Sequence, residues 1–306
     1  MTRLKAIGLL LWMLIAAFAA APAMAQVPAA PGQPAAAPAQ GNPVKFWASL
    51  GADPKPVESG LVWRVFQERI EGDGERALVA QSDSAAPVLT LPNGDYVVHV
   101  SYGLASAIKR LTVLGQTADQ RLTLNAGALR FSGLLGDAPI PPARLRIDVF
   151  VPERAGQQAR LVAADVRAET AIRLPEGAYQ VISTYLESNT TGSSPAPGAK
   201  PSDTNSVVNG EVRVTAGKLT EVTLRHHAAT LTLKLVNQPG GEALANTSFS
   251  VLTPGGDVIR ELIGAFPQVL LAEGEYAVIA RRDGKTYQGT FNVQSTLDRD
   301  VEVVAK

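Results

Sequence analysis

From residue 59 onward the chain sets apolar and polar residues in short alternating runs. Leu61, Trp63 and Val65 are separated by single residues, as are Leu145, Ile147 and Val149, and Leu231, Leu233 and Leu235. Strand side chains point alternately to opposite faces, so each run predicts one apolar strand face. Further runs predict strands over 77–80, 87–90, 108–113, 121–124, 161–166, 170–174, 207–215, 219–224, 248–252, 258–263, 268–271, 286–293 and 300–304. The runs at 121–124 and 219–224 continue into 128–131 and 231–236. No segment sustains a 3.6-residue apolar period. Short strands separated by turn residues predict an all-β protein built of sandwiches.

One pattern, Leu-x-x-Gly-x-Tyr-x-Val, occurs at 91–98, 174–181 and 271–278. The leucine can drop into a core. Tyr96, Tyr179 and Tyr276 each open a strand, and Tyr-x-Val places two large side chains on one face. A tyrosine at such a corner of an immunoglobulin-like sandwich can donate its hydroxyl to upstream backbone. Gly94, Gly177 and Gly274 are expected at positive φ in a turn. Three recurrences predict three tandem units, with boundaries at the breaks around Pro139–Pro142 and Asn237–Gly241. The expected units are 45–136, 137–240 and 241–306. The middle one carries a disordered Ser/Thr/Pro/Gly loop over 189–206. Short connections between units favour an elongated rod.

The N-terminal residues have a different pattern. Arg3 and Lys5 precede an apolar run over 7–20, and Ala23-Met24-Ala25 offers small residues for cleavage. Residues 1–25 are expected to be a secretory signal peptide cleaved after Ala25, which places the mature protein in the periplasm or outside the cell. Residues 26–44 are rich in Ala, Pro, Gln and Gly, and are expected to form a disordered linker. No later stretch is long and apolar enough to span a membrane.

Composition narrows the chemistry. The 306 residues include no cysteine, which excludes disulfides, thiolate metal sites and cysteine nucleophiles. Lys and Arg total 28 against 28 Asp and Glu, so no basic excess is present to meet nucleic acid.

The repeated corner resembles those of the PEGA-type and carboxypeptidase-regulatory-like β-domains of bacterial envelope proteins. The likeness rests on Leu174-Pro175-Glu176-Gly177-Ala178 and covers roughly 61–131, 145–236 and 248–304. Units one and three depart from it at Pro92-Asn93 and Ala272-Glu273. The resemblance implies small immunoglobulin-like (transthyretin-like) sandwiches used as spacers or adhesive modules, with no catalytic residues to carry over.

The residues that invite chemistry have plainer readings. His226 and His227 are neighbours on a strand and point to opposite faces, so they are expected at a unit junction rather than around one metal. Gly72-Asp73-Gly74 has the glycine spacing of a dinucleotide loop but joins two strands with no helix after it. Glu71, Asp73 and Glu75 lack the other ligands of a calcium loop. Trp63 fits the inward alternation of its strand, and Trp47 is less constrained. Asn189-Thr190-Thr191 and Asn246-Thr247-Ser248 match glycosylation acceptors, but the leader is of bacterial type. No residue is assigned a catalytic, cofactor-binding or metal-binding role. The expected function is a non-catalytic structural or binding module of the cell envelope, whose partner is an envelope protein or cell-wall polysaccharide. The alternatives are an adaptor or spacer subunit of a larger envelope complex, and a hydrolase using His99, His226 or His227.

Overall fold

A computed structural model describes residues 41–71, 74–115, 118–153, 158–186 and 203–306, which lie in one compact body, Gly41–Lys306. The expected signal peptide, the linker up to residue 40, Gly72 and Asp73, and the loop over 189–202 lie outside the described residues.

The strands fall into three sets of the same plan. The first is β1 (Asn42–Ser49), β2 (Val62–Glu71), β3 (Glu75–Ser82), β4 (Val88–Leu91), β5 (Gly94–Tyr102), β6 (Ala105–Val113) and β7 (Ala118–Thr123). The second is β8 (Ala126–Leu135), the short β9 (Ala138–Pro139), β10 (Leu145–Val151), β11 (Arg160–Ala163), β12 (Ile172–Pro175), β13 (Gly177–Leu186), β14 (Asp203–Val214) and β15 (Leu219–His226). The third is β16 (Ala228–Val236), β17 (Ser248–Leu252), β18 (Val258–Ile263), β19 (Gln268–Ala272), β20 (Gly274–Arg282), β21 (Lys285–Val293) and β22 (Arg299–Val304). Each set forms a small sheet built on three strands, β4-β1-β7, β12-β8-β15 (with β9 added beside β8) or β19-β16-β22, facing a four-stranded sheet, β3-β2-β5-β6, β11-β10-β13-β14 or β18-β17-β20-β21. In every small sheet the first and last strands of the set pair in parallel, and all other pairs are antiparallel. The protein is all-β, a tandem array of sandwiches.

Strand pairing divides the chain differently from the turn residues. Strands β8 and β16 were expected to close the first and second units. Instead β8 is the centre of the second sandwich's small sheet and β16 the centre of the third's. The boundaries therefore fall at Leu124-Asn125 and at His227, upstream of the expected breaks at 136 and 240. The proline-rich stretch is instead an internal crossing of the second sandwich, holding β9 and a 3-10 turn over Pro142–Arg144. The chain's apolar alternation runs through Leu122, Leu124 and Ala126 without interruption, and only Asn125, at φ 47°, breaks the strand. The expected linker also gives up its last residues: Val44 is buried in β1 with Phe46 and Ala48. Likewise 203–206 of the expected loop belong to β14.

The three corners are alike in detail. The hydroxyls of Tyr96, Tyr179 and Tyr276 donate to the carbonyls of Pro92, Pro175 and Ala272, each at 2.9 Å. Leu91, Leu174 and Leu271 are fully buried. Two of the three corner glycines have the expected positive φ. Gly94 and Gly274 sit at φ 158° and 151°, as expected, whereas Gly177 does not have a positive φ. What they share is the tyrosine ring: an added Cβ would lie 3.6 to 3.8 Å from Tyr96, Tyr179 or Tyr276. That is ordinary van der Waals contact, so the ring alone does not require a glycine at these positions. Burial raises the pKa of the Tyr96 and Tyr179 phenols and so keeps them protonated as donors. Tyr179→Phe removes one buried hydrogen bond and is expected to cost about 0.5–1.5 kcal/mol, seen as a lower urea midpoint with unchanged slope.

Each sandwich has its own core. Phe46, Trp63 and Val98 centre the first, Phe131, Ile147 and Leu174 the second, and Leu233, Phe249 and Val278 the third. The corners also fasten the joints. The amides of Glu176 and Glu273 donate to the linker carbonyls of Asn125 and His227, at 2.7 and 3.0 Å.

Candidate functional site

The shared register lets positions be compared between sandwiches. On the outer face of each four-stranded sheet the pairing of its second and first strands shifts at an equivalent point: between Val65 and Phe66, Val149 and Phe150, and Val251 and Leu252; β2 and β3 shift again between Phe66 and Ile70. At each equivalent point an extra residue enters the edge strand (Val79, Val162 or Ile259). A β-bulge of this kind re-aims a side chain and blunts an exposed edge. The re-aimed side chains are Leu78 opposite Phe66, Leu161 opposite Phe150 and Val258 opposite Leu252. They are 53, 49 and 54 % exposed and their partners half-buried, so an exposed aliphatic residue stands beside a half-buried Phe or Leu three times. The surroundings are not held constant: Arg64, Asp148 and Ser250 occupy one equivalent position, and Val97, Gln180 and Ala277 another.

On the first sandwich this face is extended by His99 and Ile108, which pair across β5 and β6, Ile108 being 70 % exposed. Partial burial, with the Arg64 charge beside it, lowers the basicity of His99. Glu68 and Arg110 close this face with an ion pair at 2.9 Å, solvated and of little stabilising weight.

The junctions are the other candidate. At the first, the Arg173 guanidinium lies 4.5 Å over the Tyr102 ring, and the Leu104 amide donates to the Arg173 carbonyl at 3.1 Å. A cleft of about 580 Å³ opens beside it, lined by Asp53, Lys55, Glu58, Tyr102 and Lys218. Two carboxylates and two ammonium groups leave this cleft without a dominant charge.

At the second junction His226 is fully buried while His227 faces solvent, 3.8 Å from Glu273. The two rings diverge, as alternation requires. The His226 ring is held between the Ser183 hydroxyl, 2.9 Å from Nε2, and the Ser206 hydroxyl, 3.1 Å from Nδ1. Desolvation brings its pKa down to about 4, against an opposing contribution from the Ser206 backbone and with the help of His227. A serine beside a histidine is the start of a nucleophilic arrangement, but all three side chains are sealed from solvent and both ring nitrogens are engaged.

Trp63 is fully buried and Trp47 lies under the Arg121 guanidinium at 5.3 Å, so neither offers a free sugar platform. Among the described residues no three His, Asp or Glu side chains are grouped to hold a metal ion. The Glu71 side chain and Asp73 lie outside the described residues. No helix of the described residues is long and apolar enough to cross a membrane. The bulge pairs and the two serines around His226 were missed in the sequence. Both depend on strand pairing: the serines reach His226 from β13 and β14, and the bulges are one-residue shifts in register.

A family model described as the Rhizobiales growth-associated tandem repeat domain matches residues 230–305, the stretch of the third sandwich. No curated protein matches. Among solved structures, the chain is similar to the Bacillus anthracis TIE protein, with 18 % identity and a TM-score of 0.24 over 86 % of this chain and 50 % of that one. The chain thus spans half the length of that protein. It is similar to BcpA, the major pilin subunit of Bacillus cereus, with 10 % identity and a TM-score of 0.24 over 87 % and 99 % of the two chains. The minor pilin GBS52 of Streptococcus agalactiae gives 11 % identity and a TM-score of 0.27 over 60 % and 95 %. TM-scores this low describe no common overall arrangement.

Proposed function

We propose that the chain is an exported, non-catalytic structural and binding module of the bacterial cell envelope, made of three diverged copies of one repeat. The observation that carries this reading is the partly exposed apolar pair at the bulge, kept at the same register in all three sandwiches while its neighbours change. The family match to the third sandwich supports treating the first two, which share its strand plan, as repeats of the same kind. The likeness to PEGA-type domains then rests on the Leu174–Ala178 corner alone. The leader-like sequence over 1–25 supports export.

The bulge pairs are aliphatic residues over Phe or Leu, which suits an apolar protein surface better than a sugar ring. The partner is therefore an envelope protein. Substituting Leu78, Leu161 and Val258 together by serine is expected to reduce cross-linking of the full chain to its envelope partner at least tenfold, with thermal unfolding moved by only a few degrees. Undiminished cross-linking by a folded triple variant would remove the bulge face from the account.

A second reading, a spacer subunit in a larger envelope assembly, is favoured by the joints. One residue, His227, separates β15 from β16, and two separate β7 from β8. Co-purification of a stable multi-subunit complex from native membranes would favour this reading over a single binding partner.

A further inference from the structure

The two junctions are built on the same positions with opposite chemistry. Aligned on Tyr96 and Tyr179, Val100 of the first sandwich corresponds to Ser183 of the second, Ala105 to Ser206 and Leu124 to His226. Val100, Ala105 and Leu124 are buried and apolar. Ser183, Ser206 and His226 are equally buried but polar, and bonded to one another. At these three positions the first junction has a dry apolar contact and the second a titratable polar one.

Its surroundings tie the cluster to the next sandwich. Tyr185 packs its ring 5.7 Å from the His226 ring, and Leu270 of β19 is buried within the second sandwich's core. The charged and titratable groups around it are placed elsewhere. Arg144 stacks 4.5 Å over Tyr185 and Asp298, from the third sandwich, acts on the same phenol. Glu273 lies against His227, which itself disfavours a charge on His226.

We propose that the Ser183–His226–Ser206 cluster is an acid-sensitive latch, which holds the second and third sandwiches together at neutral pH and releases their contact on acidification. A neutral imidazole has one donor and one acceptor nitrogen, which suits a hydroxyl on each side. Protonation turns both nitrogens into donors, so the hydroxyl that had been donating to the ring must turn round and accept. It also places a full charge in a sealed site between Tyr185 and the junction. The sign of the pH dependence follows. The folded-state pKa lies below the ordinary histidine value, so the stabilisation is complete above about pH 6.5 and is lost as pH falls toward about 4. The first junction, with Leu124 in place of the histidine, lacks this response.

The test is hydrogen exchange on the full chain at pH 7 and 4.5, corrected for intrinsic rates, in the parent and in S183V/S206A/H226L, which copies the first junction. For the parent, protection of β16 and β19 is expected to fall about fifty-fold, the change that a pKa of about 4 against 6.5 gives over this interval. Protection of β8 and β12 at the first junction is expected to change far less. In the triple variant the fall at β16 and β19 disappears. Should that variant not fold, His226→Gln serves, because an amide keeps one donor and one acceptor without titrating. Equal losses in the parent and a folded variant, or no loss in the parent, would overturn the latch.

Discussion

Trp63→Ala is expected to cost the first sandwich about 3–5 kcal/mol, among the largest single-residue effects in the protein. Trp63 is fully buried on β2 and inclined 42° to the Phe46 ring at 5.6 Å, so its removal opens a cavity between the two sheets. Its neighbours Val65 and Val98 belong to central strands and have little freedom to collapse into the gap. Trp63→Phe is expected to cost less than half as much. The indole Nε1 has no hydrogen-bond partner, so the smaller ring gives up area but also removes an unsatisfied buried N–H. Urea unfolding followed by far-ultraviolet circular dichroism gives both values. A phenylalanine variant as damaged as the alanine variant would show that the indole nitrogen is satisfied after all.

Gly127→Ala is expected to cost about 3 kcal/mol, at the upper end of what overpacking causes. A Cβ on Gly127 would stand 2.3 Å from the Thr215 carbonyl oxygen and 2.9 Å from that of Lys218. Both are backbone atoms of the turn between β14 and β15. That turn is itself fixed: the Gly217 amide donates to the Ala126 carbonyl at 2.8 Å and the Ala128 amide to the Lys218 carbonyl at 2.9 Å. No rotamer change can clear the clash. Gly133→Ala is the control. There the added carbon meets the Leu145 side chain at 2.4 Å, which can rotate away, so a smaller loss is expected in the same unfolding experiment.

These two positions show what could be read from the chain before its structure. Trp63 was placed in the core by alternation with Leu61 and Val65, and the tyrosine corners by the recurrence of one eight-residue pattern, because both are local. Gly127 was passed over, because what crowds it comes from a turn some ninety residues later. The same limit moved the unit boundaries. Local alternation identifies β8 and β16 as strands, but which sheet a strand joins depends on distant partners, and the parallel pairing with β15 and β22 leaves no mark in the run itself. Among the corner glycines the expected positive φ holds at Gly94 and Gly274 and not at Gly177, although all three corners make the same tyrosine hydrogen bond.

Of the candidate sites, His226 was placed at a junction by sequence, but its two serines lie 43 and 20 residues upstream on separate strands and only the fold assembles them. The bulge pairs depend on a one-residue register shift, which alternation alone does not reveal.

The central claim is that each sandwich begins with the strand that appears to finish the one before it. It is tested most directly by the unfolding of two fragments of the middle unit, 126–227 and 137–240, compared by circular dichroism in a urea titration. Fragment 126–227 contains both complete sheets of the second sandwich and is expected to unfold in one cooperative transition. Fragment 137–240 lacks β8, the central strand of the small sheet, and carries β16 without its partners, so it is expected to show no cooperative transition. A cooperative transition in 137–240 and none in 126–227 would contradict the account.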